Sequence, residues 1–187
     1  MISGDNPKAY GEDITLFGTK RGSGESIWDI KRHYGIMSSV LHRDYRAPGS
    51  VLAVVVSGFY DTIGLYDTPT GVQCSAAREW LELLGLHDRE KIPFSSLTFG
   101  EQRLILIVRA MVKLPPILLL DEPCIGLDNN ARTQVMALVD HIAANSRTHI
   151  LYVAHDDADR LACLNRSLEF KNKGSCYRAT VSNIEPH

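Results

Sequence analysis

Two adjacent carboxylates, Asp121 and Glu122, directly follow the apolar run Leu118-Leu119-Leu120 and precede Pro123. Acids at the end of a buried strand are costly unless a cation or a bound ligand compensates them. Strand side chains alternate, so the two carboxylates point in different directions. One can then hold a magnesium ion through water while the other addresses a nucleophile. Magnesium takes oxygen ligands and keeps several waters, which suits one aspartate plus substrate phosphates. The alternative is an exposed strand end with solvated acids.

A second run, His149 to Ala154, ends in His155. A histidine there can orient a terminal phosphate, or it is a solvated loop residue. A third element, Leu97-Thr98-Phe99-Gly100-Glu101-Gln102-Arg103, stands ahead of the clearest helical pattern. Thr98 is a suitable N-cap, and Gly100 exposes backbone N–H groups in the first turn. A helix N-terminus with free donors is an anion site; the plainer reading is an ordinary capping sequence.

These residues need a scaffold to bring them together. Leu104, Ile107, Val108 and Met111 recur at helical spacing, predicting a helix from Phe99 to Lys113 that Pro115-Pro116 ends sharply. Ile117 to Leu120 reads as a strand buried on both faces. Asn129 to Ala144 reads as an amphipathic helix, and His149 to Ala154 as a second buried strand. Upstream, residues 13–17 and 34–37 read as short strands, Thr19 to Ser26 as a polar loop and Ile27 to His33 as a helical turn or two. Residues 50–59 fit helix slightly better than strand. Ala76 to Leu84 reads as a helix with Trp80, Leu83 and Leu84 on one face and Gly85 just past its end. Strands alternating with helices imply a parallel α/β sheet, whose chemistry gathers beyond the carboxyl ends of the strands.

The bulk properties narrow the class. The 187 residues suit one domain, with 44% hydrophobic and 22% charged residues in the ordinary globular range. A net charge of −2 and the lack of interleaved basic and aromatic residues argue against direct nucleic-acid binding. Cys74, Cys124, Cys163 and Cys176 form no C-x-x-C pair and read as reduced, space-filling residues. The longest apolar segments, Val51 to Tyr60 and Ile117 to Leu120, fall far below the roughly 20 residues of a membrane span. With no basic and apolar leader at the N-terminus, the expectation is a cytoplasmic chain, or one peripheral at the inner membrane.

In this order and at these intervals, Leu97 to Gln102, Ile117 to Glu122, Gly126-Leu127-Asp128 and His155 resemble the signature, Walker B, D-loop and switch histidine of ABC ATPases. The resemblance implies an α/β fold: a P-loop NTPase-like parallel sheet with helices on both faces plus a helical signature subdomain. It divides the chain into a sheet remnant with the glutamine-loop region (1–45), a helical subdomain with the signature (46–112), a core from Walker B to the switch histidine (113–170) and a tail (171–187). It also implies ATP and magnesium as ligands. Asp121 would hold the metal through water, Glu122 would polarise the attacking water, and His155 would contact the γ-phosphate. Leu97, Thr98, Phe99, Gly100 and Glu101 would face a nucleotide held by a second cassette, in the same chain or in a dimer, with Asp128 at the shared interface. A membrane permease is a further implied partner.

The chain departs from the family pattern in three places. No G-x-x-x-x-G-K-[ST] phosphate loop is present; Arg21-Gly22-Ser23-Gly24-Glu25-Ser26 carries Glu25 where the lysine is needed. The chain is therefore expected to start just after that loop, and to bind ATP weakly and turn it over poorly by itself. Ser39 stands where the family carries a glutamine that helps sense magnesium, and serine reaches less far. Phe99 replaces the first signature glycine, and Thr98 the serine. Gly4 to Pro7, Ile14 to Gly18 and Arg21 to Lys31 further resemble a branch with two cassettes in one chain, associated by name with molybdate transport and photorepair.

Overall fold

The computed structural model describes residues 15–16, 18–20, 31–46, 48–154, 159, 161–172, 174 and 177–184. Strands β1 (Thr15–Leu16) and β2 (Thr19–Lys20) pair antiparallel around Gly18, so Thr19 and Lys20 belong to a strand and not to the expected loop. The stretch Arg21 to Ser26 lies outside the described residues.

The centre is a parallel sheet of β3 (Tyr34–Ser38), β4 (Ile117–Asp121) and β5 (His149–Val153) in that spatial order. The register places Ser38, Asp121 and Val153 side by side at the carboxyl ends. On one side of the sheet Met37, Leu118 and Leu120 are fully buried. On the other, Ile36 and Leu119 are half-buried, while Leu151 and Val153 remain 42% and 46% exposed. The expectations that β4 is buried on both faces and that β5 is a buried strand are thus corrected. Alternation gives β4 one inward and one half-open face, and β5 is the edge of the sheet among the described residues.

Helix α1 (Ser39–Asp44) follows β3 directly, its first turn capped by the Ser38 hydroxyl, which accepts from the Leu41 amide at 3.0 Å. Helix α2 (Val51–Val56) is capped in the same way by Ser50 and continues into a tighter turn at Ser57–Phe59. Its valines at 51, 54 and 55 fall on one buried stripe, so helical spacing overrides their β-branching. Helix α3 (Gly71–Leu83) begins five residues before the expected start, because Thr70 and Gln73 form a reciprocal capping box. Ala77 and Leu81 are its buried positions; Leu83, expected on the apolar face, is 47% exposed.

Helix α4 (Phe99–Met111) is the hub, touching β3, α2 and α5 (Asn129–Asn145). Every residue from Arg103 to Met111 is buried. An all-round buried helix lies in the core and not over its surface. The approach of β3 to α4 requires a missing side chain, since a Cβ on Gly35 would sit 2.3 Å from the Ala110 carbonyl oxygen. Last in the chain, β6 (Arg166–Asn172) and β7 (Tyr177–Asn183) form an antiparallel hairpin that runs across position 170. No described helix is long and apolar enough to cross a membrane.

Candidate functional site

The parallel register brings the sequence-predicted residues of two separate segments to one place. At the end of β4, the Glu122 amide donates to the Val153 carbonyl of β5 at 2.9 Å, extending the ladder one residue past the strand. The chain then turns sharply: Glu122 adopts φ 51° and its carbonyl accepts from the Ile125 amide at 3.3 Å. A left-handed backbone at a non-glycine residue costs on the order of 1 kcal/mol or more, and persists where its surroundings hold it. The turn breaks the strand alternation and brings the Glu122 side chain to the first residue of α1. The Ser39 hydroxyl donates to its carboxylate at 3.5 Å. Ser39 and Glu122, 83 positions apart, therefore meet just beyond the strand ends, with Asp121 half-buried beside Ser38.

The signature segment has its own geometry. Thr98 caps α4: its hydroxyl accepts from the Glu101 amide at 3.3 Å, while the Glu101 carboxylate accepts from the Thr98 amide at 2.9 Å and the Thr98 hydroxyl at 3.0 Å. Arg89 closes the outer side with a 2.6 Å ion pair to Glu101. Burial pushes the Glu101 carboxyl up, but these Thr98 and Arg89 donors outweigh it and hold its pKa below the usual carboxylate value. Of the two sequence readings, the capping sequence is present in full. Yet the amides of Phe99 and Gly100 keep no acceptor among the described residues, so the first turn still offers two N–H donors. Gly100 also lets α4 meet α5 closely: a Cβ there would lie 2.6 Å from the Ala131 Cβ.

Thr98 and Phe99 are exposed, Leu97 is buried behind them, and the cleft beside them is lined by Gly126, Leu127 and Asp128. Asp128 is the N-cap of α5, accepting from the Ala131 amide at 2.8 Å. The signature turn and the D-loop segment thus form one surface. Among the described residues no group of three or more His, Cys, Asp or Glu side chains could hold a metal. A lone strand-end aspartate beside serine hydroxyls is still the donor set that magnesium accepts when substrate phosphates supply the rest. His155 lies outside the described residues.

Two side chains that the motifs did not single out join these parts. His42 of α1 stacks on Phe99 with ring centroids 4.2 Å apart and its Nε2 lies 3.1 Å from the Gln102 Oε1. Burial pushes the His42 imidazole pKa down, the Gln102 bond acting against this and Arg103 with it. Arg103, 1% exposed, lies one turn further along α4, its guanidinium 5.3 Å from the Phe99 ring centroid. A signal for Arg103 existed: it falls four residues before Ile107, so a charge occupies the buried stripe. His42 carried no such mark.

The profile of the ABC transporter family matches residues 9–125. The chain belongs to this family, as an ATP-binding cassette. It is 45% identical over 98% of its length to the ABC transporter ATP-binding protein ModF of Escherichia coli, and spans 38% of that relative. It is also 30% identical to the manganese transport system ATP-binding protein MntB of Bacillus subtilis, over 83% of this chain and 59% of the relative. The chain thus spans less than two thirds of these relatives. Among solved structures, cbiO1 of Clostridium perfringens, part of the ABC transporter complex cbiONQ, superposes with a TM-score of 0.62 at 22% identity. That match covers 76% of this chain and 55% of cbiO1, and shows the fold.

Proposed function

We propose that this cassette binds ATP with magnesium and hydrolyses it when joined to a phosphate loop and closed against a second cassette. The observation that carries the reading is the meeting of Ser39 and Glu122, with Asp121, at adjoining strand ends. In this reading Asp121 holds magnesium through water, with Ser39 replacing the glutamine that helps sense it. The metal, when bound, supplies charge neutralisation at the phosphates. Glu122 orients the attacking water and takes its proton. The donors at Phe99 and Gly100 face the phosphates of the nucleotide held by the second cassette, and Thr98, Glu101 and Asp128 shape the surface that closes on it. His155 is assigned to the γ-phosphate on the sequence motif alone. The solute is proposed as molybdate or another small solute transported through a membrane permease, resting on the sequence resemblance.

A second reading has a specific support. The Thr98 hydroxyl and Glu101 are engaged with each other, and Phe99 is engaged with His42. These contacts favour slow turnover, with nucleotide binding acting as a switch for a regulatory or repair-associated partner.

The test is ATP turnover by the chain extended upstream with a phosphate-loop segment, with and without Glu122→Gln. The expected result is a loss of about a hundredfold or more in the variant with nucleotide binding kept. Equal turnover in both proteins contradicts the assignment, while binding without turnover in the parent selects the second reading.

A further inference from the structure

The Arg103 guanidinium reaches across the turn that follows the strand-end acids. Nη1 donates to the Glu122 carbonyl at 3.3 Å and Nη2 to the Ile125 carbonyl at 3.3 Å. Glu122 and Ile125 are the first and last residues of that turn, already joined by the Ile125 amide. The fork of one guanidinium thus clamps both ends of a four-residue turn whose first member has φ 51°. A planar two-armed donor fits this task, and a lysine ammonium does not.

Nothing else about Arg103 explains its burial. Among the described residues no carboxylate pairs with it, and its Nε is buried without a partner. Burial brings the guanidinium pKa down to about 10, so it remains charged at neutral pH. A buried, charged and incompletely paired arginine is an expensive way to fill space. Phe99 lies against it and also stacks on His42. The exposed aromatic of the signature is therefore in contact with the side chain that holds the turn.

We propose that Arg103 is a positioning residue: by clamping the carbonyls of Glu122 and Ile125 it fixes the direction of the Glu122 carboxylate, and Phe99 ties that clamp to the signature surface. This rests on the reading of Glu122 given above, but the clamp itself has a separate readout. Hydrogen exchange on the full 187-residue chain compares wild type with Arg103→Met and Arg103→Lys. The amides of residues 124–127 are expected to exchange faster in both variants, more in Arg103→Met, while those of β4 keep their rates. Unchanged exchange at 124–127 overturns the clamp.

In the upstream-extended protein, Arg103→Met is expected to lower kcat about a hundredfold with KM for ATP within about twofold, since Arg103 lies behind the cleft. Arg103→Lys is expected to fall between, because one ammonium reaches one carbonyl at a time. Faster exchange with unchanged kcat overturns the positioning role, as does a rise in KM that matches the loss. If Arg103→Met does not fold, the Arg103→Lys pair of measurements decides. If the parent shows no Glu122-dependent turnover, the hydrolysis reading fails and the exchange result still decides the clamp.

Discussion

Helix α4 carries a buried arginine near each end, and the two are used differently. At the far end, the Arg109 Nε donates to the Ser57 hydroxyl at 3.0 Å and its Nη2 to the Thr62 carbonyl at 2.7 Å, with the guanidinium 5.8 Å from the Tyr45 ring centroid. The Ser57 hydroxyl in turn donates to the Val54 carbonyl at 2.7 Å. Two residues beyond the helix, Lys113 donates to the Asp61 carboxylate at 2.5 Å and to the Lys31 carbonyl at 3.0 Å. This end is a fastener: short bonds lock the close of α2 onto α4. At the near end, Arg103 makes two longer bonds, leaves Nε unmatched and holds a left-handed turn. Side chains of one type on one helix serve packing at one end and geometry at the other, and the difference lies in what they grip.

The comparison breaks most visibly under Arg109→Met. Removing that guanidinium strips buried partners from Ser57 and Thr62, at about 1–3 kcal/mol for each group left unmade. Urea unfolding is expected to show a loss of about 3 kcal/mol, with turnover per folded molecule of the extended protein retained. A stable Arg109→Met that fails to turn over would place function at the wrong end. Gly100→Ala comes next. Its Cβ would press on Ala131 at 2.6 Å, and overpacking there is expected to cost about 2 kcal/mol, read as a lower thermal midpoint.

Ser39→Ala is expected to change stability by less than about 1 kcal/mol, since its bond to Glu122 is long and half-buried. Magnesium titration of turnover in the extended protein checks its assigned role, the expected result being a higher metal requirement. The smallest effect is that of pH. Burial lowers the His42 pKa in the folded chain, so folding is favoured by the neutral ring. Its contribution is present above the unfolded value of about 6.5 and lost as pH falls through the lower folded value. His42→Gln should flatten that part of a stability–pH curve. An unchanged slope would show that another group sets it.

Much of this was legible in the residues. The spacing of Leu104, Ile107, Val108 and Met111 marked α4, and Thr98 with Glu101 three residues later marked its cap. Strand β4 and helix α5 lie within about one residue of their expected ends. What escaped depends on contacts distant in sequence. The start of α3 was set by a threonine–glutamine box that lies outside the apolar pattern. The exposure of β5 goes with its edge position among the described residues, which a run of apolar residues does not encode. The strand-end acids were visible as a pair, but Ser39 reaching Glu122 follows from the β3–β4 register. The roles of His42 and Arg103 follow from their shared contact with Phe99, which the spacing of the motifs does not show.

The most direct test is a double-substitution cycle on turnover in the extended protein, with Glu122→Gln and Arg103→Met made alone and together. If Arg103 acts by aiming Glu122, Arg103→Met lowers turnover strongly when the carboxylate is present and adds little once it is gone. If Arg103→Met lowers turnover by the same factor in both backgrounds, the arginine acts independently of Glu122 and the two ends of α4 differ in packing alone.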